Sequence, residues 1–192
     1  MTDWPARAAT PVSDDTILVE AARSGDRAAY GRLYDRYARM VHGLLLARVP
    51  PGEVDDLVQD VFLQALPRLG TLRDAARFGA WIAAIARNRA NDFYRRSKPT
   101  TELTESLPAE QIEDRAATSA QIAQASAILD AIRALPDAYR ETLILRLVEG
   151  MTGPEIAERT GLAPGSVRVN LHRGMHQLRE KLGVHSQNSA VL

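Results

Sequence analysis

The chain has 192 residues, 45% of them apolar and 25% charged, with 24 basic and 24 acidic side chains and no cysteine. That size and mixture fit one or two small globular domains with real cores, and the missing thiols exclude disulfides, thiolate metal sites and cysteine redox chemistry. No run is long or apolar enough to span a bilayer, and Met1 to Pro11 lack the basic start and apolar stretch of a secretory signal, which predicts a cytoplasmic protein.

In chain order the periodicities are helical throughout, with no convincing strand and no internal repeat. Residues 1–13 are expected to be disordered. Ser13 followed by Asp14 and Asp15 predicts an N-cap with acids in the first helical turn. Ala28, Tyr30, Leu33, Tyr34, Tyr37, Met40, Val41, Leu44 and Leu45 recur at helical spacing until Pro50-Pro51-Gly52 ends the run. Val54, Leu57, Val58, Val61, Phe62, Ala65 and Leu66 form a second apolar stripe, stopped near Pro67. Phe78, Trp81, Ile82 and Ile85 open a third, which continues to Phe93 and a run of arginines. Thr100 to about Thr118 is rich in Thr, Ser, Glu and Pro and predicts a linker. A second helical block starts near Ser119, runs through Ile128, Leu129, Ile132 and Leu135 to Pro136, and resumes with Tyr139, Leu143, Ile144, Leu147 and Val148. His185 to Leu192 reads as a frayed tail.

The zero net charge conceals a distribution. From Arg77 to Lys98 there are six basic residues against Asp92 alone, and from Leu162 to Gly183 four against Glu180. Between these blocks Thr100 to Asp130 carries six acids against Arg115. Two basic patches separated by an acidic stretch point toward a polyanionic partner.

Near the C-terminus, Glu155 to Gly161 followed by Leu162 to Arg173 reads as a helix-turn-helix. Ile156 and Ala157 face a core, Gly161 makes the turn, and Val167 and Leu171 anchor a second helix. That helix carries Arg168, Asn170, His172 and Arg173, side chains that reach phosphates and base edges in a major groove. On the helix from Phe78 to Arg96, Trp81, Asn88, Asn91 or Asp92, and Arg95 share one broad face. Such a face suits single-stranded DNA, with arginines on phosphates and rings or pockets receiving bases; a solvated basic helix with Trp81 in the core has the same composition. Glu53, Asp55, Asp56 and Asp60 offer a solvated acidic face or a docking face for a basic partner, and their spacing argues against a metal site. His172 and His176 stand four residues apart, but no Glu lies between them in a metalloprotease pattern, so they read as DNA-facing or exposed. No phosphate loop, nucleophile elbow or Ser/His/Asp arrangement is present, so no catalytic residue, metal site or cofactor is expected.

Taken in order, these stretches resemble the extracytoplasmic-function (ECF, group IV) sigma factors of bacterial RNA polymerase, within the sigma-70 family. Asp55-Asp56-Leu57-Val58-Gln59-Asp60-Val61-Phe62 is similar to region 2.2, Phe78 to Arg96 to regions 2.3 and 2.4, and Leu135-Pro136-Asp137-Ala138-Tyr139-Arg140 through Leu182 to region 4. The resemblance covers about Asp14 to Leu182. It implies an all-α fold of two small helical domains, region 2 over 14–98 and region 4 over 119–183, joined by a flexible acidic linker over 99–118 and followed by a tail over 184–192.

The resemblance also implies roles. Asp55, Asp56, Leu57, Gln59, Asp60 and Phe62 would dock on the coiled-coil clamp of the polymerase beta-prime subunit. Arg73, Asp74, Phe78, Trp81, Arg87, Asn88, Asn91, Arg95 and Arg96 would read the melted −10 element, with one base flipped into a pocket at a cost of a few kcal/mol and Asn88 contacting a base. Ser166, Arg168, Asn170, His172 and Arg173 would read the −35 duplex, Ser166 near a helix N-terminus that favours phosphate. Core RNA polymerase (beta-prime clamp and beta flap), promoter DNA and an anti-sigma factor are the implied partners, the linker would thread the polymerase channel, and no membrane insertion is expected. Departures from the pattern stand at Gly153-Pro154, Val169-Asn170 and Gly174. The competing reading is a helix-turn-helix regulator that does not dock on polymerase; an adaptor that only binds partner helices leaves both basic patches unexplained.

Overall fold

The computed structural model describes residues 14–96 and 119–183. The expected disordered N-terminus, the Ser13 cap, the linker over 99–118 and the tail over 184–192 lie outside the described residues. Among those described there is no strand, and the helices are α1 (Asp14–Arg23), α2 (Arg27–Leu46), α3 (Val54–Ala65), α4 (Phe78–Arg96), α5 (Ser119–Arg133), α6 (Asp137–Leu147), α7 (Gly153–Thr160) and α8 (Pro164–Lys181).

Local chemistry sets most boundaries. The Asp26 carboxylate accepts hydrogen bonds from the amides of Ala28 (2.8 Å) and Ala29 (3.0 Å), a cap that stabilises the start of α2 by about 1 kcal/mol. Pro50 and Pro51 prevent α2 from continuing, and a short 3-10 turn, Pro51–Glu53, leads into α3. After α3 two further 3-10 turns, Leu66–Thr71 and Ala75–Arg77, carry the chain to α4. Arg23 at the end of α1 fixes this crossing by donating to the carbonyls of Leu69 (3.2 Å) and Leu72.

The first block buries Leu33, Tyr37, Met40 and Leu44 of α2 against Val61 of α3 and Phe78 and Ile82 of α4. Tyr37 stacks edge-on against Phe78 at 5.1 Å, and its hydroxyl donates to the buried Asp15 carboxylate. Burial, reinforced by that hydrogen bond and the charge of Asp15, pushes the Tyr37 phenol far above its ordinary value, so it is a permanent donor. In the second block, Ile132 and Leu135 meet Leu143 and Ile144 of α6, Ile156 of α7, and Val167 and Leu178 of α8. Gly174 lets α8 approach α6 closely, since a Cβ there would stand 3.1 Å from both Leu143 Cδ1 and Tyr139 Cβ.

The two blocks are packed on each other through one continuous core, α2 against α6 and α4 against α7. Gly43 is buried where a Cβ would meet Leu145 Cδ2 at 2.8 Å and Glu149 Cγ at 2.9 Å. At the other end, Gly79 of α4 lies against the carbonyl oxygen of Arg159 at the end of α7. The sequence predicts two small helical domains without fixing how they sit; in the structure their cores are in contact, because apolar residues at the α2–α6 seam complete each other's burial.

Candidate nucleic-acid and polymerase interfaces

Three surfaces hold the residues singled out by the sequence. On α3, Asp55, Asp56 and Gln59 are exposed, while Asp60 is half-buried and accepts a hydrogen bond from Arg89 of α4 at 2.5 Å. Leu57 and Phe62 do not belong to this surface. They are 4% and 3% exposed, facing inward with Val54, Val58, Val61 and Ala65 because they fall on the core-facing side of a 3.6-residue repeat. The apolar groups that do face outward are Leu63 (69% exposed) on α3 and Leu66 (46%) just after it; the ring of Tyr34 lies 4.7 Å from that of Phe62. Leu63 was legible as an apolar residue out of phase with the core stripe.

The second surface begins at the turn before α4. The Asp74 carboxylate accepts from the Ala76 amide at 3.1 Å and lies 3.4 Å from the Arg77 guanidinium, holding the turn open. Leu72, Arg73, Asp74, Arg77, Ala80 and Trp81 line a pocket of about 400 Å³. Phe78, expected at this surface, is fully buried between Tyr37 and Trp81. It forms the floor beneath Trp81 and offers nothing to solvent, since it initiates α4 on the helix's inward face. Trp81 is half-buried, and Asn88, Asn91, Arg95 and Arg96 are exposed, with Arg95 3.0 Å from Asp92. Arg87 is not free. Its guanidinium donates to both oxygens of Glu141 on α6, at 2.9 Å from Nη2 to Oε2 and 3.0 Å from Nε to Oε1.

The third surface is the helix-turn-helix, α7 and α8 joined through Gly161. Thr152 caps α7 reciprocally: its hydroxyl accepts from the Glu155 amide at 3.4 Å, and the Glu155 carboxylate accepts from the Thr152 amide at 2.7 Å. Those bonds hold the Glu155 carboxyl below its ordinary value. Pro154, one of the departures from the family pattern, sits in this first turn, where its missing N–H costs nothing. Gly161 adopts φ +73°, the left-handed conformation that ends α7 and redirects the chain into α8. On α8, Ser166, Arg168, His172 and Arg173 are exposed and Asn170 is half-buried, while Val167 is buried against α7 and Leu171 half-buried. Between α7 and the first turns of α8 lies an apolar cleft of about 930 Å³, bordered by Pro154, Ala157, Leu162, Val167 and Leu171. It escaped the sequence reading because its walls come from two helices whose apolar residues look like core when read singly. His176 lies 3.5 Å from Glu180, and no group of three or more metal-ligating side chains exists among the described residues. No helix among them is long and apolar enough to cross a membrane.

Comparison with known proteins matches residues 33–100 to the family model "Sigma-70 region 2" and residues 125–178 to "Sigma-70, region 4". The ECF RNA polymerase sigma factor BldN of Streptomyces coelicolor is 35% identical over 170 residues, covering 86% of this chain, which spans 64% of that relative's length. RNA polymerase sigma factor CarQ of Myxococcus xanthus is 32% identical over 170 residues, with 86% and 95% of the two chains covered. The ECF RNA polymerase sigma-E factor of Escherichia coli K12 is 28% identical over 181 residues, with 88% and 94% covered. Among solved structures, CnrH in complex with the cytosolic domain of CnrY superposes with a TM-score of 0.61 at 27% identity, covering 91% of this chain and all of that one.

Proposed function

Because the chain belongs to the sigma-70 family, among its ECF RNA polymerase sigma factors, we propose a division of promoter recognition over the three surfaces described. The exposed carboxylates of Asp55 and Asp56, with Gln59, dock on the beta-prime clamp, and Leu63 and Leu66 supply the apolar contact that Leu57 and Phe62 cannot. The pocket between Leu72 and Trp81 takes a base extruded from the −10 element, with Asn88 on a base edge and Arg73, Arg95 and Arg96 neutralising phosphates of the single strand. Ser166, Arg168, Asn170, His172 and Arg173 read the −35 duplex from the groove-facing side of α8. The apolar cleft between α7 and α8 suits a helix of the beta flap.

DNA opening in this scheme is driven by binding: unstacking one base costs a few kcal/mol, offset by pocket contacts and counterion release. The chain makes and breaks no bond; nucleotide addition belongs to the polymerase, and the protein works in the cytoplasm. An anti-sigma factor is the remaining partner of this reading, in keeping with CnrH having been solved bound to a second protein.

The observation that carries the proposal is the order of the two family matches along one chain, each coinciding with a basic, exposed helix face. The test is reconstitution with sigma-free core polymerase and a promoter selected from genomic fragments. Core binding and run-off transcription are expected. A protein that binds promoter DNA but never core would instead be a helix-turn-helix regulator, and the proposal would be lost.

A further inference from the structure

Building on the promoter-reading scheme, we propose that Val169 is a specificity-determining residue of α8: its isopropyl group reads the methyl of one thymine in the −35 duplex, so the −35 element of this chain carries a thymine at that place.

The phase of α8 puts this side chain at the middle of the outward surface. The inward stripe of the helix is Val167, Gly174 and Leu178, all buried, with Leu171 and Met175 packed partly against the same core. Counted from Val167 at about 100° per residue, those five residues fall within a sector of roughly 100°, and Val169 stands about 200° round, nearly opposite its centre. Ser166, His172, Arg173 and His176 surround it, and all four are exposed. Val169 is the apolar side chain in their midst, 42% exposed. As the sixth residue of α8 it lies within the first two turns, the part of a recognition helix that meets base edges.

Nothing within the protein accounts for an isopropyl group there. Valine is a weaker helix former than the straight-chain polar residues, and Val169 takes no part in the buried core. The apolar cleft between α7 and α8 is lined by Val167, Arg168 and Leu171 but not by Val169. A lone exposed valine is common on an ordinary surface. This one is set among cationic and hydrogen-bonding side chains that suit nucleic acid, and the apolar group that a base edge presents in the major groove is the C5 methyl of thymine. Branching at Cβ holds a helical valine in one strongly preferred rotamer, so its methyls are preset for that contact. Cytosine in the same place would press its N4 amine, a donor, against methyls that accept nothing. Val169 also stands where the chain departs from the family pattern, so the thymine is expected of this chain's promoters and not of the family at large.

The test uses the full-length protein with core polymerase, on a promoter found by the reconstitution above. Each −35 thymine is replaced in turn by deoxyuridine, which removes the methyl and keeps every hydrogen-bonding group. Affinity of the assembled polymerase for each promoter is read by competition binding, with run-off transcription alongside. The wild type should lose about fourfold at one thymine, the worth of burying one methyl. Val169→Ala should lose a similar amount on the unmodified promoter and be indifferent to uridine at that thymine. Alanine is the better helix former and the position is exposed, so the fold is kept, which circular dichroism checks. A −35 element without thymine, the lack of any uridine-sensitive position, or a Val169→Ala protein as sensitive to uridine as wild type would overturn the assignment. Each of those results leaves transcription intact, whereas a wild type that never transcribes with core polymerase removes the promoter-reading premise, and the thymine contact with it.

Discussion

At the residue scale the proposed DNA-facing and polymerase-facing roles fall for the most part on exposed side chains. Asn88 is exposed on α4 and tied to no neighbour that the −10 scheme requires, so Asn88→Ala should lower open-complex formation about tenfold, the loss of a base contact worth 1–3 kcal/mol, with core affinity unchanged in a native-gel titration. Asp56→Arg should do the opposite, abolishing core binding while leaving the helix intact, because Asp56 is exposed in the first turn of α3. Asp60 is a poorer probe, since reversing its charge would also place a cation 2.5 Å from Arg89. Gly174 tests packing alone: a Val there would be forced into Leu143 and Tyr139, destabilising the fold by about 1–3 kcal/mol, visible as a lower urea midpoint.

At the scale of the element, α7 depends on its reciprocal cap. Thr152→Ala should cost about 1 kcal/mol in urea denaturation. The Glu155 half of that cap has a depressed pKa, so its contribution is present above the ordinary carboxylate value of 4.5 and is lost as pH falls through the depressed one. The stability gap between Thr152→Ala and wild type should accordingly narrow in acid, which chemical denaturation at a series of pH values would reveal. Helix positions and the turn at Gly161 were legible because 3.6-residue periodicity, prolines and caps are local signals. Leu57, Phe62 and Phe78 misled for a related reason. They fall within motif stretches that also build the core, and only the phase of the helix separates the two uses. Leu63, out of phase, held the usable clue.

At the scale of the whole molecule, what could not be foreseen is pairing over long separations. Glu141 meets Arg48 and Arg87 from 93 and 54 residues away, and Glu149 meets His42 from 107. Nothing in the local pattern of any of these residues names its partner; each looks like an ordinary charge on a helix. Their consequence should appear as pH dependence. The hydrogen bond to Glu149, working against desolvation and helped by the charges of Glu149 and Asp55, raises the His42 pKa above 6.5. Arg39 lies 3.9 Å from the same Glu149 carboxylate. A raised pKa means that the His42–Glu149 contact contributes its full stability below about pH 6.5 and loses it as pH rises through the shifted value. Chemical denaturation should therefore show a lower stability at pH 9 than at pH 6, and His42→Gln should shrink that difference.

Gly43 adds a consequence of its own. A glycine in the middle of a helix costs roughly 0.5–1 kcal/mol relative to alanine, so α2 is intrinsically weaker at the position where α6 settles against it. A larger residue there would favour α2 as an isolated helix yet crowd Leu145 and Glu149 across the α2–α6 seam, so the heat tolerance of the first block alone and of the whole chain should move in opposite directions.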